Sequence, residues 1–141
     1  MKGQKLFWII FLTVFLPLFV GLIIYLLYKP KLIPLFSFPN SAAALSGKNL
    51  FTKLMVNSGP DFCWSYSFAS ALFITNFIFF RSKLFTYATV ILIILAELIQ
   101  IFLPRYFTFD WMDLGAAVIA VFISYLILKN RFLWLLKRQN G

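Results

Sequence analysis

Long apolar runs separated by short polar segments dominate this chain. Four of the runs are long enough for a helix to cross a hydrocarbon core of ~30 Å, which needs ~20 helical residues. The predicted helices cover residues 6–28, 62–80, 84–103 and 114–136. The last of them includes Lys129 and Arg131, whose long side chains can reach the headgroups. The pattern predicts an all-α protein, a polytopic membrane bundle of four transmembrane helices that forms a single membrane domain over residues 1–141.

The only long connection between these helices, residues 29–61, is predicted to be an outer loop. It begins KPKLIPLFSFPN, where the prolines leave no helical period, so an extended segment is expected. From Ser41 the apolar residues recur on one side, which predicts either a short helix in the membrane interface or a segment packed over the bundle. Residues 57–60 are predicted to break the chain, with Asp61 as the cap of the second transmembrane helix.

Composition and charge restrict the class further. Hydrophobic residues make up 62% of the chain and charged residues 12%, too little polar surface for a water-soluble domain. If both termini lie on one side, that side carries eight of the 13 Lys and Arg residues. The positive-inside rule therefore predicts both termini in the cytoplasm. The net charge of +9 then reflects topology, and no nucleic-acid partner is predicted.

The chain has no histidine and one cysteine, Cys63. This excludes histidine-based acid/base catalysis, Cys/His zinc sites and the Ser/His/Asp triad within the chain. Cys63 is expected to be a small apolar residue at the start of a helix. Neither a metal nor a cofactor is predicted.

Three of the four acidic residues fall within residues 96–113. Glu97 and Gln100 are three apart, so they share one helix face, and the cost of a polar group in lipid turns that face toward the bundle. Pro104 ends the helix, and the start of the next helix is acidic, which suits the helix dipole. The candidate ligand-binding cluster comprises Glu97, Gln100, Arg105, Asp110, Asp113 and Asp61.

Each of these residues also has a structural interpretation. Glu97 and Arg105 could form a buried ion pair that fixes one helix pairing. Asp110 could be a plain helix cap, as could Asp113 one turn later. A stripe of small residues, Ala116, Ala117, Ala120 and Ser124, would let another helix approach closely, and we expect the third and fourth helices to form a tight hairpin.

These residues resemble the signature of the VanZ-like family of small bacterial membrane proteins. In that family a glutamate and a glutamine three apart end one helix, an arginine follows, and an aspartate opens the last helix. The matching positions here are Glu97, Gln100, Arg105 and either Asp110 or Asp113. Asp61 matches the aspartate that leads into an earlier helix.

The chain also departs from the family pattern. Ser65 stands where the family often has a histidine, and Ala117 and Ala120 stand where an asparagine and a glycine are common. The family's polar set is therefore thinned, which leaves open whether its function is retained.

The resemblance implies a multi-pass protein of the bacterial inner membrane with a cell-envelope role, and it implies no reaction. The first hypothesis is a protein whose outward-facing polar pocket recognises a lipid-linked or glycan ligand without catalysis. The alternative is a small accessory or assembly subunit that docks a larger membrane protein complex. A third, weaker hypothesis is an enzyme that uses Glu97 or Asp113 as general acid/base on a lipid phosphate. Membrane lipids are expected partners in every case.

Overall fold

The computed structural model describes residues 2–28, 50–102 and 110–137. These residues form helices, with no strand among them, so the all-α prediction is confirmed. The elements are α1 (Lys2–Ile10), α2 (Leu16–Tyr28), α3 (Leu50–Thr75), α4 (Lys83–Phe102) and α5 (Trp111–Lys137), with π-helical turns at Phe11–Phe15 and Asn76–Phe80. Four helical stretches are long and apolar enough to cross a membrane: Leu6–Leu26, Ser58–Phe80, Lys83–Gln100 and Trp111–Arg131.

The π-helical turn at Phe11–Phe15 joins α1 and α2 directly ahead of Pro17. Proline has no backbone N–H, so it cannot complete the normal bond to the preceding turn. The N–H of Leu16 instead bonds the carbonyl of Phe11, and the Thr13 hydroxyl donates to the carbonyl of Ile9 at 2.7 Å. The wide turn lets one long helical segment continue past a residue that would otherwise interrupt it.

The start of α3 corrects the sequence prediction. The helix begins at Leu50 and runs through residues 57–60, with Pro60 inside it, so Asp61 is not its cap. A proline removes one backbone hydrogen bond, whereas ending the helix would leave several groups unpaired next to an apolar layer. Residues 50–57 are therefore continuous with the membrane-length helix, and the remainder of the predicted interfacial helix lies outside the described residues.

The core of the bundle is centred on α3. Both α2 and α5 pack extensively against it, while α4 makes smaller contacts with α3 and α5. The fully or nearly buried apolar side chains come from three helices: Ala69, Phe73 and Ile74 of α3, Ile93 of α4, and Ala117, Val121 and Leu128 of α5. The least hydrophobic of the four candidate spans is thus the most buried one.

The small-residue stripe of α5 forms a packing surface, as predicted, but its main neighbour is α3. Ala117, Ala120 and Ser124 are completely buried. The hydroxyl of Ser124 lies 2.9 Å from that of Ser70 on α3, close enough for a hydrogen bond between the two helices. The third and fourth predicted helices, α4 and α5, do contact one another, but α5 packs more extensively on α3, because serines on α3 offer the stripe both close approach and a polar partner.

A single asparagine organises the hairpin between α3 and α4. Asn76 is 2% exposed, and its Nδ2 donates to the Ser82 carbonyl at 3.0 Å and to the Thr86 hydroxyl at 2.9 Å. Its Oδ1 accepts from the Ser82 N–H at 3.0 Å. Between Asn76 and Ser82, the backbone of Arg81 has a left-handed conformation, with φ 49° and ψ 33°. Its N–H donates to the Asn76 carbonyl at 2.6 Å. These bonds pair the polar groups of the turn with one another.

Gly21 marks the closest approach of α2 to α3. A Cβ at this position would lie 2.8 Å from the Cβ of Cys63 and 3.5 Å from the carbonyl oxygen of Pro60. Neither atom is the end of a flexible side chain, so the helices would have to separate. Gly115 on α5 differs, since a Cβ there would meet nothing within 4 Å.

Gly21→Ala should therefore destabilise the bundle by about 1–3 kcal/mol, the usual cost of overpacking. Gly115→Ala is the matched control and should be neutral or stabilising by up to about 1 kcal/mol, because alanine favours the helix. Reversible unfolding in detergent or bilayer measures both. Equal effects of the two substitutions would show that α2 and α3 do not approach closely at Gly21.

Asn76→Leu keeps the branched shape of the side chain and removes the hydrogen bonds that hold the hairpin. It should lower the free energy of unfolding by about 1–3 kcal/mol, since the Ser82 backbone groups lose their partner. Asn130→Leu, at an exposed position of α5, is the control and should change stability little. A stability loss no larger than that of the control would contradict this role for Asn76.

Candidate functional site

The four acidic residues of the chain gather at one end of the bundle formed by α3, α4 and α5. Asp61 lies on α3, Glu97 near the end of α4, and Asp110 and Asp113 at the start of α5. Arg81 and Lys83 occupy the opposite end, in the α3–α4 hairpin. Since α5 runs back along α4, its Lys129 and Arg131 also lie toward that opposite end. The basic residues of the hairpin and of the second half of α5 thus lie at the end opposite the carboxylates, while Lys53, in the first turns of α3, belongs to the acidic end.

Glu97 is a buried carboxylate, with 9% of its surface exposed. Its Oε2 accepts a hydrogen bond from Nε2 of Gln100 at 2.8 Å, and its carboxylate is also hydrogen-bonded to the hydroxyl of Ser65 on α3. The prediction that Glu97 and Gln100 share one inward face of their helix is confirmed. Both hydrogen-bonding partners are neutral, so they hold the carboxylate without cancelling its charge.

Two further carboxylates surround Glu97. Asp61 of α3 and Asp113 of α5 are close enough for their charges to repel it. Like charges interact more strongly away from bulk water, so this proximity costs free energy when all three groups are ionised. We call these five side chains the carboxylate cluster: Asp61, Ser65, Glu97, Gln100 and Asp113. Three helices contribute to it, and a change in the packing of any of them would alter its geometry.

Asp110 has the structural role that the sequence left open. Its Oδ1 accepts from the N–H of Met112 at 3.0 Å, and its carbonyl accepts from the N–H groups of Asp113 at 3.1 Å and Leu114 at 3.4 Å. These contacts identify it as the N-cap of α5. It is exposed, whereas Asp113, one turn into the helix, is partly buried.

Arg105 lies outside the described residues, as does the whole segment 103–109. Its ion pair with Glu97 therefore stays a prediction. The polar groups that the structure places on Glu97 are those of Ser65 and Gln100.

Ser65 belongs to the carboxylate cluster but is not among the candidate ligand-binding residues that the sequence predicts. It was noted only as a departure from the family pattern, although it follows Asp61 by four residues. That spacing places both side chains on one face of α3. The face was missed because the helix was expected to begin at Asp61, where that residue would serve as a cap.

Within the part of the chain that the structure describes, no three His, Cys, Asp or Glu side chains form a group that could hold a metal ion. The acidic residues of the cluster therefore sit as electrostatic neighbours and not as a ligand set converging on one point. Hydrogen bonding is the chemistry that this arrangement offers: carboxylates that accept, a hydroxyl that does both, and an amide.

Comparison of the chain with protein-family models, with curated proteins and with solved structures finds no match. The function of the chain is consequently inferred from the geometry of the carboxylate cluster and from the arrangement of charge along the bundle.

Two isosteric substitutions should move stability in opposite directions. Glu97→Gln keeps an acceptor for Gln100 and removes one of three repelling charges, so stability should be unchanged or rise by about 1 kcal/mol. Gln100→Glu adds a fourth carboxylate beside Glu97 and should cost about 2 kcal/mol or more.

Asp110→Asn removes a charge at the exposed cap and should be neutral, since asparagine caps helices as well as aspartate does. Unfolding measured in one lipid composition compares all three variants. A loss of stability in Glu97→Gln that matches the loss in Gln100→Glu would contradict the repulsive cluster.

Proposed function

We propose that this chain is a multi-pass, VanZ-like protein of the bacterial inner membrane that recognises a lipid-linked or glycan envelope ligand without catalysis. The observation that carries the proposal is the Glu97 carboxylate, buried between Ser65 and Gln100 and repelled by Asp61 and Asp113. A buried ionisable cluster at one end of an otherwise apolar bundle is costly to keep, and it marks a functional site by default.

The chemistry of the cluster defines the groups that it would recognise. Clustered carboxylates accept hydrogen bonds, so a ligand that donates several hydroxyl or amine hydrogens would relieve their mutual repulsion. The Gln100 amide and the Ser65 hydroxyl add neutral donors and acceptors that suit a sugar ring. Arg105 is proposed to meet a phosphate or carboxylate of the same ligand.

The distribution of charge supports an outward-facing site. The positive-inside rule favours the cytoplasm for Arg81 and Lys83 in the short hairpin and for the basic C-terminal end. The carboxylate cluster, at the other end of the same helices, would then open toward the outer side of the membrane. Ligands of the cell envelope reach the protein from that side.

The alternative, an accessory subunit, would dock through the small-residue stripe of α5 and the aromatic-rich outer faces of the bundle. Of these two surfaces the stripe is occupied within the chain, since Ala117, Ala120 and Ser124 are buried and Ser124 contacts α3. The exposed aromatic side chains of α1 and α2, such as Phe7 and Trp8, suit contact with lipid as well as with a protein partner.

Purification in lipid nanodiscs, followed by mass spectrometry of co-purifying molecules, tests the proposal. The wild-type protein should retain a lipid-linked or glycan species, and the double variant Glu97→Gln/Gln100→Leu should lose at least about 90% of it, as expected when two hydrogen-bonding groups of one site are removed. Asp110→Asn is the charge-matched control and should retain it fully. Turnover of a lipid phosphate that Glu97→Gln abolishes would replace recognition with catalysis. A stoichiometric protein partner with no such species would favour the accessory subunit.

A further inference from the structure

A long groove lies between α4 and α5, away from the carboxylate cluster. Its volume is about 490 Å³, and it is lined mainly by apolar side chains, including Val90 and Ile94 of α4 and Val118 and Phe122 of α5. The fully buried ring of Phe73, from α3, also lines it. The groove exists because α4 packs less extensively than α2 and α5 do on the rest of the bundle.

Polar groups occur in the groove only toward its basic end. Lys83, Thr86 and Tyr87 line it on the first turns of α4, and Tyr125 lines it on α5. The ammonium of Lys129 sits 5.6 Å from the centre of the Tyr125 ring, so a second cation stands beside the same mouth. All four acidic side chains of the chain are at the opposite end of the helices, so none of them competes for these cations.

The length of the groove matches one leaflet of a bilayer. The lining residues of α4 run from Lys83 to Ile94, and at 1.5 Å per residue this corresponds to roughly 16 Å along the helix axis. Half of a ~30 Å hydrocarbon core is roughly 15 Å. An acyl chain could therefore lie along the apolar wall while its headgroup stays level with Lys83.

We propose that this groove binds one anionic phospholipid, with an acyl chain between α4 and α5 and its phosphate-bearing headgroup at Lys83 and Lys129. Charge complementarity selects this occupant: two cations flank the mouth, and the walls below them are hydrocarbon. The positive-inside rule places the mouth in the cytoplasmic leaflet, where anionic lipids give the membrane its negative surface. The site is separate from the carboxylate cluster and does not depend on the function proposed for it.

Native mass spectrometry of protein released from nanodiscs containing equal amounts of phosphatidylglycerol and phosphatidylcholine tests the site. The wild-type protein should retain phosphatidylglycerol over phosphatidylcholine by about five-fold, the effect expected of a basic residue near an anionic headgroup. Lys83→Gln should lower that ratio at least about two-fold, since Lys129 remains, and Lys83→Arg should keep it. Val118→Trp fills the groove and should lower the retention of both lipids.

Arg131→Gln is the matched control, because it removes the same charge without lining the groove. Arg131 follows Lys129 by two residues and so projects from nearly the opposite face of α5. The ratio of retained phosphatidylglycerol to phosphatidylcholine should be the same for Arg131→Gln as for the wild-type protein. If Lys83→Gln does not fold, Lys129→Gln takes its place with the same expectation. Equal retention of the two lipids by the wild-type protein, or equal losses in the Lys83 and Arg131 variants, would overturn the proposal.

Discussion

Polar side chains inside a bundle of membrane-length helices find no bulk water, so a partner from the same helix or a neighbour stabilises them. This constraint accounts for the central position of α3. Its serines and asparagine would be costly against lipid, and burial supplies three of these side chains with partners: Ser70 with Ser124, Ser65 with Glu97, and Asn76 with the hairpin. The buried hydroxyls of Ser58 and Ser67 have no hydrogen-bond partner among the described residues. The more uniformly apolar helices lie at the periphery of the bundle, where more of their surface is exposed.

The same constraint makes the carboxylate cluster informative. A buried hydroxyl or amide that is paired costs little, but neighbouring carboxylates do not cancel one another. Glu97 is held by two neutral partners while Asp61 and Asp113 repel it, so the cluster is electrostatically unfavourable when all three groups are ionised. In the proposed function, a ligand that donates hydrogen bonds to these carboxylates would offset their repulsion. All four acidic side chains lie at one end of the bundle, and Lys83 and Lys129 lie at the other, so the two ends differ in chemistry and in proposed occupant.

Features that depend on the length of an apolar run or on helical spacing could be predicted from the sequence. Four apolar spans, the inward face shared by Glu97 and Gln100, and the cap at Asp110 all follow from local patterns. Predictions from the sequence are wrong where tertiary packing overrides a local pattern. Pro60 and its neighbours were interpreted as a break, but the helix continues because ending it would leave backbone groups unpaired. The partner of the small-residue stripe and the recruitment of Ser65 depend on which helices are adjacent, and spacing along one helix does not contain that information.

A double-mutant cycle on Glu97→Gln and Asp113→Asn, measured by reversible unfolding in one defined lipid, tests the carboxylate cluster most directly. Both changes relieve the same repulsion, so the double variant should gain less than the sum of the two single variants. A coupling of at least about 0.5 kcal/mol is expected for charges in one network. Strictly additive effects would show that α4 and α5 do not bring the two carboxylates together. That result would contradict the carboxylate cluster and the binding site proposed from it.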